Sequence, residues 1–385
     1  MLMFTRKIQY LIFTLFLSNS YANDSLVITR LLNRVNQLQS KESSVFPRGI
    51  FPSYRLYALN KNREKADINI FFTGLISFTL QDIKPRLAGE QQKLADQIIS
   101  RSLPVYQKFQ NQKGRHTYNF WPTDTPKIFP NSGWMNLFDK TQALPDDLDD
   151  TVIMLLAMNA PDAVAKQVHA LMQQFTNKGE KPVRNTFKDF RSIGAYSTWF
   201  GKKMPVDFDI CVLANVLYFV QRYNLPWTAA DSASLRLIEK VLIEKKHVTD
   251  APYVSPHYSR LPILLYHIAR LMSVRPIRSL EKLKPQLIAE ASNALAKGNG
   301  FMDDVILSTS LLRWGVQPAG IKSYKADSLQ ELIEEGSFSF FIANMASMLP
   351  DPLKQWMGGA GVGKFYYDCV AYNNMLVLEY LALHK

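Results

Sequence analysis

The chain has 385 residues, of which 47% are hydrophobic and 20% are charged. This composition is typical of a globular protein with a sizeable core and excludes an intrinsically disordered chain. The formal net charge is +12, but the lysine and arginine residues are scattered and form no stripe with aromatic residues, so nucleic-acid binding is not expected. Peripheral contact with an anionic membrane surface is compatible with this charge, and nothing in the sequence indicates an oligomeric state.

The first 22 residues have the pattern of a secretory signal peptide. Arg6 and Lys7 precede an apolar run over residues 8–17, and small residues around Ala22 fit a cleavage site. The run is too short to span a bilayer comfortably, although an uncleaved membrane anchor is the competing interpretation. We therefore expect residues 23–385 to be the mature protein, exported to a bacterial periplasm or secreted.

The helical pattern begins near Leu26, and apolar residues recur with helical spacing along most of the chain. Glycine or proline ends nearly every such segment. The run 67–83 is apolar throughout and fits a buried helix or a strand, and its helical neighbours favour a helix. No strand pair is predicted. Helices are expected over 26–38, 67–83, 89–112, 149–159, 162–176, 207–223, 229–245, 260–273, 280–295, 303–314, 338–348 and 365–384.

About a dozen helices with short connections and no linker predict an all-α fold. The expected arrangement is a single (α/α) toroid, a double ring of antiparallel helix hairpins, over residues 23–385. A two-layer α-solenoid is the alternative, although no fixed-period repeat is visible. Cys211 and Cys369 are the two cysteines. They are compatible with a disulfide in an oxidising compartment, but each lies in an apolar helical pattern where a buried free thiol is equally expected.

Residues 114–145 differ from the rest of the chain because they contain four prolines, six aromatic residues and few periodic apolar positions. A loop this long inside a folded domain is usually functional or disordered, and its aromatic content argues against disorder. We therefore take Tyr118, Trp121 and Trp134 as candidate ligand-binding residues.

Four carboxylates follow this loop at Asp146, Asp147, Asp149 and Asp150, directly before an apolar helix. Acidic residues at a helix start complement the helix dipole, so capping is one interpretation. Crowded carboxylates cannot all ionise easily, so a second interpretation is a general acid with a raised pKa. Binding Mg²⁺ or Ca²⁺ is a third, and it requires further oxygen ligands. No other cofactor is expected.

The string Asp147-Leu148-Asp149-Asp150-Thr151 resembles the D-x-D-D-T motif of class II terpenoid cyclases, the squalene–hopene cyclase-like family. The resemblance implies an (α/α) toroid with an aromatic-lined cavity for a polyprenyl chain. It also implies that Asp149 protonates the substrate, with Asp147 and Asp150 as its partners. The match covers five residues, and the Q-W repeats of that family and a DDxxD motif are absent.

Further candidate residues lie in segments expected to border the same cavity. Asp207 and the isolated polar Asn215 belong to one predicted helix, and Asn215 either binds a ligand or satisfies a helix end. His257, a candidate base, and Tyr258 lie at a helix entrance, where a packing role is the alternative. Tyr367 belongs to the last predicted helix. Residues 358–364 have the spacing of a phosphate-binding loop, but Phe365 replaces the required Ser or Thr, so a flexible loop is expected instead.

These observations leave three functional hypotheses open. The first is a terpenoid-cyclase-like protein that binds a lipid-like ligand and acts on it by acid chemistry. The second is an exported carbohydrate-active toroid of the glycoside hydrolase or lyase type, in which tryptophan rings stack on sugars and two carboxylates act as acid and base. The third is a non-catalytic helical binding protein. An apolar cavity beside Asp149 favours the first, a polar groove the second, and a filled centre the third.

Overall fold

The chain is mostly helical and carries one small sheet. The structure is a computed structural model, and it describes residues 21–129, 143–177, 183–201, 204–318, 321, 328–335, 338–358 and 361–384. The expected signal peptide therefore lies almost entirely outside the described residues. The α-helices are α1 (Tyr21–Leu38), α2 (Phe71–Ile83), α3 (Gly89–Ser102), α4 (Leu148–Ala157), α5 (Asp162–Met172), α6 (Ile210–Arg222), α7 (Ala229–Ile243), α8 (Lys246–Thr249), α9 (Ala251–Val254), α10 (Leu261–Met272), α11 (Arg278–Lys297), α12 (Phe301–Arg313), α13 (Leu329–Glu334), α14 (Leu353–Gly358) and α15 (Val370–His384).

Six helices, which we call the central helices, are buried along nearly their whole length: α2, α4, α6, α10, α12 and α15. Each contacts the next in this order, and α15 contacts α2 in turn. A helix that is apolar on all sides is stable only when other elements surround it, and α2, α4, α12 and α15 accordingly show weak amphipathic periodicity, whereas α6 and α10 keep a marked apolar face. The run 67–83, which the sequence left between helix and strand, contains α2 and confirms the helical prediction.

The remaining long helices pack outside the central helices. Helix α1 contacts α15 and α3, α3 contacts α2, α7 contacts α6, and α11 contacts α10 and α12. Helix α5 reaches α7 through a hydrogen bond of 3.0 Å between His169 Nε2 and Asp231 Oδ2. These outer helices expose polar residues on one side, so amphipathic periodicity is visible in their sequences.

A close approach between α2 and α4 fixes the position of the acidic segment. Gly74 faces Met154, and a Cβ atom at position 74 would lie only 1.6 Å from Met154 Cε. The absence of a side chain at this glycine lets the two helices pack closely. The first residue of α2, Phe71, and the acidic start of α4 then line the same pocket.

The prediction of an all-α fold is wrong in one respect, because four strands form an antiparallel sheet in the order β2-β1-β4-β3. Strand β1 pairs with β4, with Tyr54 opposite Asp368, although about three hundred residues separate them in sequence. One expected helix is also wrong, and another is wrong at its start and right over α15. Much of 338–348 is strand β3 and a 3₁₀ turn, and 365–384 begins as strand. The strands are β1 (Tyr54–Tyr57), β2 (Asn60–Ala66), β3 (Phe341–Asn344) and β4 (Lys364–Asp368).

Two smaller expectations are also settled by the structure. The expected helix over 89–112 is α3 followed by a 3₁₀ helix, Leu103–Phe109, that begins beside Pro104. Cys211 and Cys369 are both buried and free, so they form no disulfide. Burial raises the pKa of both thiols, which makes them poor nucleophiles.

Candidate functional site

Three carboxyl groups, which we call the carboxyl cluster, lie buried at the start of α4: Asp147, Asp149 and Asp150. Asp147 is the N-cap, and its Oδ1 accepts hydrogen bonds from the backbone N–H groups of Asp149 at 2.6 Å and Asp150 at 3.1 Å. Its own N–H donates to the Tyr118 carbonyl at 2.9 Å. The capping interpretation is therefore confirmed for Asp147, and it does not account for the other two carboxyl groups.

Asp149 sits at the end of a chain of hydrogen bonds that crosses three central helices. Its Oδ1 accepts from Asn215 Nδ2 at 2.6 Å, and Asn215 Oδ1 accepts from Arg270 Nη2 at 2.7 Å. Its Oδ2 accepts from the hydroxyl of Tyr258. Because Arg270 is a donor only, it fixes which way the Asn215 amide points, and the amide then donates to Asp149.

Asp150 has no such partner. Asp150 is 2% exposed, and its buried Oδ1 has no hydrogen-bond partner among the described residues. A buried ionised carboxylate without a hydrogen bond is strongly unfavourable, whereas a neutral carboxylic acid is tolerated much better. Burial, followed by the charges of Asp147 and Asp149, accordingly raises the pKa of Asp150 well above its usual range.

The pKa values of the other two members of the carboxyl cluster, Asp147 and Asp149, are raised less. Burial raises the pKa of Asp149 to about 6, and the bonds from Tyr258 and Asn215 oppose a larger rise. Burial and the neighbouring charge of Asp149 raise the pKa of Asp147, and its two backbone donors oppose that rise. The three carboxyl groups thus differ in proton affinity because they differ in hydrogen-bond donors.

An aromatic pocket adjoins the carboxyl cluster. It encloses about 440 Å³ of space that no atom fills, counting its opening to solvent, and only a small part of that space would admit a water-sized molecule. A larger ligand therefore requires side chains to move apart. Apart from the three carboxyl groups, the lining residues are mostly aromatic or aliphatic: Phe71, Phe120, Trp121, Phe129, Leu144, Thr198, Trp199, Val212, His257, Tyr258, Phe341, Ala343 and Tyr367.

A second group of ionisable side chains lies behind the His257 wall of the pocket. His257 Nδ1 lies 3.1 Å from the Ile342 carbonyl, and its Nε2 lies 3.8 Å from Asp207 Oδ2. Burial disfavours the imidazolium, but the acidic side chains of Asp207 and Asp209 outweigh it and raise the pKa of His257. The buried Lys354, whose pKa burial lowers, is 3.9 Å from Asp207 Oδ1.

Several predicted site residues meet at this pocket. Trp121 and Tyr367 belong to its wall, and the Trp121 indole N–H donates to Asp67 Oδ1 at 3.0 Å. His257 and Tyr258 also line it, and Asn215 reaches it through Asp149.

Other predicted site residues lie elsewhere. Tyr118 is not part of the wall, and its hydroxyl contacts the Met158 sulfur at 3.7 Å. Asp146 accepts hydrogen bonds from Asn111 and Thr117 on the far side of its segment. Asp207 is buried behind His257. Trp134 lies outside the described residues.

Sequence reasoning missed several residues that the fold brings to the pocket. Phe71 is the first residue of α2, Phe341 belongs to β3, and Trp199 comes from the segment before α6. These positions carry no motif, and only the unpredicted sheet and the order of the central helices bring them together. Arg270 was missed too, although a lone arginine within the apolar run of α10 signals a buried charge that needs a partner.

Comparison of the chain with protein-family models, with curated proteins and with solved structures finds no match. The site is therefore interpreted from its own geometry. Among the described residues, no helix is long and apolar enough to cross a membrane. In the same part of the chain, no group of three or more His, Cys, Asp or Glu side chains is arranged to hold a metal ion.

Proposed function

We propose that this chain is an exported, terpenoid-cyclase-like (α/α) toroid that binds a lipid-like, isoprenoid ligand in its aromatic pocket and protonates it from the carboxyl cluster. The toroid is supported by the contacts of the central helices, which run from α2 through α15 and return to α2. The outer helices that pack against them would form the second ring. The resemblance of residues 147–151 to the D-x-D-D-T motif points to the same architecture.

One observation carries the chemical part of this proposal: buried carboxyl groups with raised pKa values adjoin a pocket with aromatic walls. An acid in an apolar site can transfer its proton to a carbon–carbon double bond. The π electrons form the new C–H bond, which leaves a carbocation and a carboxylate. Aromatic faces stabilise a nearby cation, and loss of a proton from that cation to the carboxylate restores the acid.

The narrowness of the pocket limits how a ligand binds. The ring centroids of Phe120 and Phe341 are 5.4 Å apart and those of Phe71 and Phe341 are 4.9 Å apart, so these side chains touch in the free protein. A flexible apolar chain that wedges between such rings replaces ring–ring contacts with ring–ligand contacts. A rigid polar ligand would instead leave its hydroxyl groups without partners along most of the wall.

The carbohydrate alternative is supported by one feature of the wall, because Trp121 and Trp199 are the kind of rings on which sugars stack. Its requirement for a polar groove is met only at the carboxyl cluster, Thr198 and His257. We therefore favour an isoprenoid ligand over a carbohydrate.

Binding and turnover panels separate these alternatives. Purified protein is titrated with isoprenoid alcohols and diphosphates of increasing length and with neutral and acidic oligosaccharides, while tryptophan fluorescence, to which Trp121 and Trp199 of the pocket contribute, is followed. The products are then analysed by mass spectrometry. We expect saturable binding of isoprenoids, and conversion that is lost when Asp149 and Asp150 are both changed to Asn. The exposed Asp162, changed to Asn, is the matched control.

Each outcome of the panels decides between the hypotheses. Cleavage of an oligosaccharide that needs the same carboxyl groups would replace the proposal with the carbohydrate alternative. Binding of isoprenoids without conversion would leave a lipid-binding protein and reject the acid chemistry. Failure of both panels to bind would reject the pocket as a ligand site.

A further inference from the structure

The three members of the carboxyl cluster are not equivalent, because the hydrogen bonds that stabilise a carboxylate are distributed unequally among them. Asp147 accepts two backbone N–H groups, and Asp149 accepts from the Asn215 amide and the Tyr258 hydroxyl. Asp150 accepts none from the described residues and keeps a buried, unpartnered Oδ1 in the same pocket wall.

From this arrangement we infer that Asp150 carries the transferable proton, and that Asp149 is a fixed anion held by Tyr258, Asn215 and Arg270. The resemblance to the D-x-D-D-T motif assigns the proton to Asp149 instead. This inference rests on the proposed function for the use of that proton, but the location of the proton is a property of the ligand-free protein.

The direct hydrogen bonds from Tyr258 and Asn215 favour an anionic Asp149, and Arg270 adds a buried cation behind Asn215. Arg270 is fully buried, its guanidinium lies 5.1 Å from the ring centroids of both Phe78 and Tyr266, and its Nη1 has no hydrogen-bond partner. Among the described residues no carboxylate lies within salt-bridge distance of it, and Asn215 is its hydrogen-bond acceptor. Its charge acts on Glu379 and Asp82 as well as on Asp149, so Asp149, which it reaches through Asn215, is one of three carboxylates that this buried cation stabilises.

The charged and titratable groups that face the cluster from neighbouring elements act unequally on its members. Asp209 at the start of α6 raises the pKa of Asp149, whereas Arg270 and the Tyr258 hydroxyl lower it, and the charges that act on Asp150 are those of Asp147 and Asp149. His257, whose pKa is raised, acts on Asp147. Asp150 is therefore surrounded by two carboxylates and apolar walls, where the neutral acid is its stable form.

Asp150 would act as the proton donor to an alkene carbon, and Asp149 would act as a positioning residue. The negative charge of Asp149 disfavours a second negative charge on the neighbouring Asp150. It therefore keeps Asp150 protonated until the ligand binds. Once the carbocation forms, the anion of Asp149 also stabilises its positive charge.

The test uses ligand-free protein at about pH 8, where exposed carboxyl groups are ionised. Infrared spectroscopy detects the C=O stretch of a protonated carboxylic acid, and aspartate labelled with ¹³C at its carboxyl carbon assigns that stretch to aspartate. We expect the wild-type protein to show this band. It should disappear in Asp150→Asn and remain in Asp149→Asn and in the control Asp162→Asn, with circular dichroism confirming that each variant is folded.

A second variant keeps the inference testable if Asp150→Asn does not fold. Changing Arg270 to Met removes the cation behind Asn215, so the titration midpoint of Asp149 in ¹³C NMR should rise by about one pH unit or more. The exposed Arg222, changed to Met, should leave it in place.

Four results would overturn the inference. They are a wild-type protein without the acid band, a band lost only in Asp149→Asn, a band kept in both variants, and a band lost in both folded variants, since the last would mean a shared proton. An unchanged Asp149 midpoint in Arg270→Met would separately reject the role of Arg270. None of these results depends on whether an isoprenoid is the ligand, so a failed ligand panel and a failed protonation test remain distinguishable.

Discussion

Two groups of buried ionisable residues lie on the central helices, and they differ in how their charges are balanced. The carboxyl cluster at the start of α4 holds three acids, and no described basic side chain forms an ion pair with it. The other group, which we call the ion network, joins Asp82 of α2, Arg313 of α12 and Glu379 of α15. Arg313 Nη2 donates to both Asp82 and Glu379 at 2.7 Å.

The difference shows that burial alone does not make an acid reactive. Burial opposes ionisation of Asp82, but Arg313 outweighs it and lowers the pKa of Asp82 below its usual range. Asp150 is more deeply buried than Asp82, whose side chain is 28% exposed, and has no basic partner among the described residues, so its pKa is raised instead. The ion network is therefore expected to stabilise the fold, and the carboxyl cluster to reduce stability in exchange for a proton held beside a pocket.

Breaking the ion network should have the largest effect on stability. Replacing Arg313 with Met leaves Glu379, which is fully buried, and Asp82 without their cation, and we expect unfolding free energy to fall by about 3–5 kcal/mol. Urea denaturation measures the change. Adding Glu379→Gln to this variant should restore part of the loss.

A matched exposed pair provides the control for this experiment. Lys93 and Glu90 are 2.7 Å apart on α3 but largely exposed, so Lys93→Met should change stability by less than about 1 kcal/mol. Equal losses at the buried and exposed pairs would contradict the structural role given to the ion network.

The carboxyl cluster should give the opposite pH dependence. A carboxyl group whose pKa is raised on folding adds stability below its unfolded pKa and loses it as pH rises through its folded pKa. For Asp149, a rise from 3.8 to about 6 corresponds to a loss of about 2 kcal/mol between pH 4 and pH 7. We expect Asp150→Asn to become more stable relative to wild type as pH rises from 4 to 8, because burial and the charges of Asp147 and Asp149 raise the pKa of Asp150 in the folded protein.

Urea denaturation at several pH values measures this difference. The lowered pKa of Asp82 acts in the other direction, since its stabilisation is lost as pH falls, but it is common to wild type and variant and cancels between them. Parallel pH profiles for wild type and Asp150→Asn would show that Asp150 is not a buried acid with a raised pKa. Asp162→Asn should run parallel to wild type.

The sequence predicted much of the helical content because helix ends are local signals. Asp147 and Asp209 are caps whose side chains accept backbone N–H groups, and residues of this type before an apolar run are recognisable without a structure. The acidic start of α4 was identified for the same reason. The role of each acid in it was not identified, because hydrogen bonds from Asn215 of α6 and from Tyr258, in the segment before α10, decide that role.

The sheet and the aromatic wall depend on contacts between distant segments, which a local pattern does not contain. Strand β4 reads Lys-Phe-Tyr-Tyr-Asp, without the alternation of a half-buried strand, and it pairs with β1 from the other end of the chain. Phe341 enters the pocket only because β3 joins this sheet. Arg270 was identifiable as a buried cation, but its connection to Asp149 through Asn215 required the packing of α4, α6 and α10.

The smallest expected effect, and the closest comparison, comes from removing one tyrosine hydroxyl in each region. Tyr266 donates to Glu379 Oε2 at 2.7 Å, and Tyr258 donates to Asp149. At about pH 8, Tyr266→Phe and Tyr258→Phe should each lower unfolding free energy by about 1–3 kcal/mol, the usual contribution of a hydrogen bond to a charged group.

Lowering the pH should change the stability loss of Tyr258→Phe but not that of Tyr266→Phe. Asp149 has a pKa of about 6, so at about pH 5 it takes up a proton and no longer needs the Tyr258 hydroxyl as a donor to its charge. Glu379 remains bonded to Arg313 in the Tyr266 variant. Urea denaturation at both pH values should therefore show a smaller loss for Tyr258→Phe at the lower pH and a nearly constant loss for Tyr266→Phe. An equal loss of stability for Tyr258→Phe at both pH values would show that Asp149 is not an anion stabilised by the Tyr258 hydroxyl. The carboxyl cluster and the ion network would then not differ in the way that their hydrogen bonds indicate.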